Sequence, residues 1–151
     1  MAALKDRLQA DLTAAMKARD EVKTATLRML LTAVGTEEVA GKAARELSDD
    51  EVLKVVAREA KKRREAATAF RDGGRPDRAE RELAEEQVLA SYLPAQLSDE
   101  ELAGLVRDAV AETGASGPRD MGAVMKVVVP RVAGRADGSR VSAAVKAALA
   151  G

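Results

Sequence analysis

An all-α fold, a four-helix N-terminal unit followed by a three-helix C-terminal unit, is what the sequence predicts, on three observations. Apolar residues recur at three- and four-residue spacings along seven segments, and nowhere with the period of two that marks a half-buried strand. Aromatic side chains are nearly missing, with one Phe, one Tyr and no Trp in 151 residues. A core built from Ala, Val, Leu and Met suits close-packed helices and suits sheets poorly. The segments are also punctuated by helix start and stop signals: serines followed three residues on by glutamate, paired glycines, and prolines.

In the first segment, from about Ala2 to Lys17, Leu4, Leu8, Leu12 and Met16 form one stripe. The second helix starts near Asp20, a natural cap, and would bury Val22, Leu27, Leu30, Ala33 and Val34, with Met29 alongside. Gly35 and Gly41 predict fraying or a break at its far end. Ser48-Asp49-Asp50-Glu51 is a capping box for a third helix carrying Val52, Val55, Val56, Ala60, Ala67 and Phe70. That helix stops at Gly73-Gly74. Pro76 opens a fourth, since its missing N–H has no partner to lose there. Leu83, Leu89, Ala90 and Leu93 give it a weaker stripe ending at Pro94, and Pro94-Ala95-Gln96-Leu97 reads as a linker. The predicted domains are therefore 1–94 and 95–151.

A second capping box, Ser98-Asp99-Glu100-Glu101, starts the fifth helix, with Leu102, Leu105, Val106, Ala109 and Val110 on its apolar face. Thr113 to Pro118 is a loop. The sixth helix, about Arg119 to Ala133, carries Met121, Val124, Met125, Val128 and Val132, with Pro130 kinking or shortening its last turn. The seventh shows Val141, Ala144, Val145, Ala148 and Leu149.

Composition removes whole classes of chemistry. There is no Cys, so no disulfide framework, thiolate metal site or cysteine nucleophile. There is no His, so the commonest general base and metal ligand is missing. No serine has a base partner, no phosphate-loop pattern occurs, and the acidic pairs lack calcium-loop spacing; we expect no catalytic residues, no metal and no cofactor. No run approaches the ~20 apolar residues of a membrane span, and Met1 to Asp6 has no apolar leader core, so the chain is expected to be cytoplasmic.

Two places concentrate charge. Formal charge balances overall at 25 basic against 25 acidic, but from Arg119 onward six basic residues face two acidic ones, a local net of +4. Lys61-Lys62-Arg63-Arg64 forms the other cluster, which Glu59 and Glu65 flank as in an ion-paired, solvated helix face. Within the C-terminal region, Gly134-Arg135-Ala136-Asp137-Gly138 is a helix-to-helix turn. Gly134 suits a positive φ, Asp137 suits a cap, and Gly138 leaves room for backbone or ligand. The turn is read either as structure alone or as a holder of phosphate between Arg135 and Arg140. If Lys126, Arg131, Arg135, Arg140 and Lys146 converge, they form a nucleic-acid-binding surface. With no aromatics to stack bases, it would read phosphate and shape.

Particular strings carry a resemblance. They are Thr26-Leu27-Arg28-Met29-Leu30, Glu46-Leu47-Ser48-Asp49, Lys61-Lys62-Arg63-Arg64-Glu65, Tyr92-Leu93-Pro94, Met121-Gly122-Ala123-Val124-Met125-Lys126 and the Gly134–Gly138 turn with Val141-Ser142 and Val145-Lys146. In that order, over almost the whole chain, they resemble the GatB/YqeY family, specifically its stand-alone YqeY-like members. The resemblance implies a four-helix and a three-helix bundle. It also likens the C-terminal part to the tail domain of GatB, a component of the tRNA-dependent amidotransferase, where that domain helps hold tRNA. The catalytic portion of GatB has no counterpart here, so a carbon–nitrogen ligase activity with glutamine as amide donor is not carried over with the fold. Three functions are expected, in order. The first is a tRNA-binding or tRNA-associated accessory protein. The second is a component or modulator of a glutamine-dependent amidotransferase, with amidotransferase or aminoacyl-tRNA synthetase proteins as partners. The third is a helical protein–protein adaptor.

Overall fold

The computed structural model describes residues 3–150 and is helical, with no strand among them. Ala2, the expected start of the first helix, and Gly151, the end of the expected second domain, lie outside the described residues. The chain forms two compact units, Met1–Leu93 and Pro94–Gly151. No helix among the described residues is long and apolar enough to cross a membrane.

The first unit is built from α1 (Ala3–Lys17), α2 (Glu21–Glu38), α3 (Asp49–Asp72) and α4 (Pro76–Ala90). Leu8, Leu27, Leu30, Val34, Val52, Val56 and Leu89 are fully buried at its centre. Met16, expected in the α1 stripe, is instead 48% exposed, and Ala15 is buried in its place. The reason is helical drift. Each i+4 step turns about 40° around the axis, so by Met16 the stripe has rotated about 120° from Leu4, whereas Ala15 returns to within about 20°.

α2 runs through Gly35 and stops at Glu38, before Gly41. Glu38 then anchors the segment leading to α3: its carboxylate accepts from Lys5 Nζ at 2.8 Å and from the backbone N–H of Leu47 at 3.2 Å. The Lys5 bond first, then the Leu47 amide, holds its pKa below the usual carboxylate range. Leu47 is thereby drawn into the core. α3 has the expected capping box at Ser48 and Glu51. α4 starts at Pro76 as expected but ends at Ala90, four residues ahead of Pro94. The turn after it carries Tyr92 into the core, where its hydroxyl donates to Asp11 Oδ2 at 2.6 Å. Burial first, then that carboxylate, raises the phenol's pKa.

The second unit holds α5 (Asp99–Thr113), a single 3₁₀ turn (Pro118–Asp120), α6 (Met121–Val132) and α7 (Gly138–Ala150). Leu102, Val106, Ala109, Val124, Val128 and Val145 make its core. Ser98 and Glu101 form the capping box of α5. The expected helical start at Arg119 is the 3₁₀ turn. α6 passes through Pro130 and ends at Val132, because a proline this close to the end leaves only the Lys126 carbonyl without its usual donor. The stretch expected to be a linker belongs to this unit: Leu97 is buried, and its N–H donates to the Arg135 carbonyl at 2.8 Å.

Candidate nucleic-acid interface

The corner between α6 and α7 is made by two consecutive left-handed residues, Ala133 at φ 49° and Gly134 at φ 78°. Gly134 takes this at no steric cost, whereas Ala133 stores strain of about 1 kcal/mol. Arg135 N–H closes the turn on the Val132 carbonyl at 3.0 Å. Asp137 caps α7, its Oδ1 accepting from the Arg140 amide at 2.9 Å and the Ser139 hydroxyl at 2.6 Å. A Cβ at Gly138 or at Gly122 would meet no protein atom within 4 Å, so the space beside both is open.

The segment before α5 lies against this corner. Arg135 Nε donates to the Ala95 carbonyl at 2.9 Å. Arg140 Nη2 donates to the Leu97 carbonyl and to Asp99 Oδ1, each at 2.9 Å. Arg135 is held by one nitrogen, and its two terminal nitrogens have no partner among the described residues. Its charge is a minor contribution to the lowered pKa of Glu101, which is set first by the backbone N–H of Ser98.

The other expected cations sit elsewhere on the unit. Arg131 pairs with Glu112 of α5 at 2.5 Å. Lys126 and Lys146 are exposed and have no side-chain partner among the described residues. Helical geometry places Lys126 about 140° around α6 from Arg131, and Lys146 about 120° around α7 from Arg140. The structure thus brings Arg135 and Arg140 together at the corner, while Lys126 and Lys146 stand on other faces of their helices.

Three of the four cations of the N-terminal cluster, Lys62, Arg63 and Arg64, are committed to internal pairing. Arg63 is mostly buried and contacts Met29, with Glu85 at 3.3 Å and Glu59 at 3.7 Å. Lys62 reaches Glu59 at 3.1 Å and Arg64 reaches Glu86 at 3.2 Å. This network joins α3 to α4. An open groove of about 880 Å³ runs between α5 and α7. Leu102, Val106 and Val110 line one side of it, and Ala144, Ala147 and Ala148 the other. No group of three or more metal-ligating side chains occurs among the described residues.

Comparison with known proteins places this geometry in context. Residues 5–149 match the family described as Yqey-like protein. An uncharacterised protein of Schizosaccharomyces pombe is 34% identical over 85 residues, which is 56% of this chain and 67% of that protein.

Proposed function

We propose, from the premise that the chain belongs to the YqeY-like protein family, that its C-terminal unit docks on the phosphate backbone of tRNA as an accessory protein. One observation carries the reading: Arg135 is anchored through Nε at the α6–α7 corner with both terminal nitrogens free. A guanidinium positioned this way suits bidentate contact with a phosphate at little further entropic cost. The local net charge of +4 from Arg119 onward supports it. So does the likeness of this unit to an amidotransferase tail domain that helps hold tRNA. Partnership with amidotransferase or synthetase proteins belongs to the same proposal.

Titration of the protein with tRNA over a salt series tests it. Binding should weaken steeply as salt rises, because each neutralised phosphate releases counterions. Arg135→Ala should weaken binding about tenfold, the loss of one charge-assisted phosphate contact. A flat titration at low salt refutes the reading.

The groove between α5 and α7 favours a second reading, a helical adaptor whose partner inserts the apolar ridge of an amphipathic helix. Recovery of RNA and protein from one sample separates the two. A stoichiometric protein lost on Ala147→Glu supports the adaptor, whereas RNA recovered equally with and without that substitution supports tRNA docking.

A further inference from the structure

Among the described residues, three helices end in the same hydrogen-bonded motif, in which the chain turns through one left-handed residue. After α3 that residue is Gly74 at φ 76°, with Arg75 N–H on the Phe70 carbonyl. After α5 it is Gly114 at φ 67°, with Ala115 N–H on the Val110 carbonyl. After α1 it is Arg19 at φ 56°, with Asp20 N–H on the Ala15 carbonyl and Arg19 N–H on the Met16 carbonyl. Glycine enters this conformation freely and a side chain does so under strain. A positive charge near the end of α1 suits the helix dipole, but Lys17 already supplies one in its last turn.

Arg19 borders an open pocket of about 420 Å³ at the α1–α2 corner, lined also by Arg28, Thr24, Met16 and Ala25. Neither guanidinium has a carboxylate partner among the described residues; Arg28 Nη2 touches only Met16 Sδ, at 3.8 Å. The two acids at the rim are engaged: Asp20 accepts from the Lys23 amide at 3.1 Å, and Glu21 lies 3.4 Å from Arg81. Thr24 is distinctive as well. The hydroxyls of Thr13, Thr26, Thr32, Thr36, Thr68 and Thr113 each donate to a carbonyl one turn back, whereas that of Thr24 has no partner among the described residues.

We infer that the α1–α2 corner is a phosphate-binding site, with Arg19 and Arg28 supplying paired guanidinium donors and Thr24 a hydroxyl donor. Two planar cationic forks and a hydroxyl converging on one open pocket match the acceptors of a phosphate group. The strained Arg19 backbone delivers one fork where a glycine would deliver none. The phosphate is a monoester of a small molecule or a diester of an RNA strand. The site lies in the first unit and stands independently of the tRNA-docking reading of the second.

The full chain, isotopically labelled, is titrated with inorganic phosphate and separately with tRNA while the backbone amides of residues 16–28 are followed by NMR. Saturable shifts of those amides with phosphate are expected, weakened about tenfold in Arg19→Gly, the loss of one charge-assisted contact. Arg19→Gly keeps the turn conformation, so its melting temperature should be equal to or above that of the native protein, which excludes unfolding as the cause. Arg19→Lys should also bind more weakly, because a point charge does not reproduce the fork. If the tRNA arm moves the same amides and is weakened by Arg19→Gly, the source is RNA. If only the phosphate arm responds, the source is a small phosphate ester. Arg19→Gly and Arg28→Ala proteins that bind both ligands as tightly as the native chain overturn the inference.

Discussion

Replacing Tyr92 with phenylalanine removes one oxygen from the first unit and leaves its packing in place. Tyr92 is 7% exposed, and the Arg7 guanidinium lies 4.8 Å from its ring centroid, an arrangement phenylalanine retains. What is lost is the 2.6 Å hydrogen bond to Asp11 Oδ2, which ties the end of α4 to α1. Hydrogen bonds to charged groups contribute about 1.5–3 kcal/mol. The Asp11 side chain is 33% exposed, so water compensates in part once the hydroxyl is gone. We therefore expect a loss of about 1–2 kcal/mol. For a domain of this size that lowers the melting temperature by about 4–16 °C. Tyr92→Ala, which also empties the ring's place, should cost about 3–5 kcal/mol. The assay is urea unfolding followed by far-ultraviolet circular dichroism on the native chain, Tyr92→Phe, Asp11→Asn and the double variant. A coupling energy of about 1 kcal/mol is expected between the two sites. Additivity within about 0.3 kcal/mol would show that the bond contributes nothing and refute the reasoning.

Glu51 is a pH reporter. The Arg45 guanidinium first, then the Ser48 amide, lowers its pKa from 4.5 to about 2. Its folded-state pKa lies below the unfolded value, so its stabilisation is complete above about pH 4.5 and lost as pH falls towards 2. Glu51→Gln should flatten the acid-unfolding profile in that window, and an unchanged profile would count against the assignment. Pro130→Ala supplies an N–H for the Lys126 carbonyl inside α6 and should stabilise the second unit by about 1–2 kcal/mol, read as a raised melting temperature. Lys126→Ala with Lys146→Ala breaks no internal contact. The pair stands on other helix faces than the Arg135–Arg140 corner, so it should leave stability within about 0.5 kcal/mol and lower the salt-dependence slope of tRNA binding by less than about one, whereas Arg135→Ala lowers it by about one.

The helices were legible where apolar spacing and capping agreed. Ser48 with Glu51 and Ser98 with Glu101 start α3 and α5 at the expected residues, because a capping box is local chemistry written in four positions. Where the chain leaves a helix, locality fails. The burial of Tyr92, Leu47 and Leu97 depends on Asp11, Glu38 and Arg135, which lie beyond the one helical turn over which periodicity and capping act, 81 residues away for Tyr92 and 9 for Leu47. At the candidate interface the turn at Gly134 and the cap at Asp137 were readable for the same local reason. That Arg135 and Arg140 are anchored on the carbonyls of Ala95 and Leu97 was not. The α1–α2 corner did leave a trace: two helical patterns meet across Lys17-Ala18-Arg19-Asp20 with no glycine between them.

Sequence alone was enough to determine an all-α chain with seven helices among the described residues, the caps of α2, α3, α5 and α7 and most of the buried faces, since periodicity and capping act between residues at most a turn or so apart. Tertiary structure alone decided which cations remain free. Arg63 and Arg131 are taken up by carboxylates, and Arg140 by Asp99 and the Leu97 carbonyl. Arg19 and Lys126 are left without such partners among the described residues. The energy of a charge depends on what packing brings within a few ångströms of it, and packing joins residues that the chain keeps far apart.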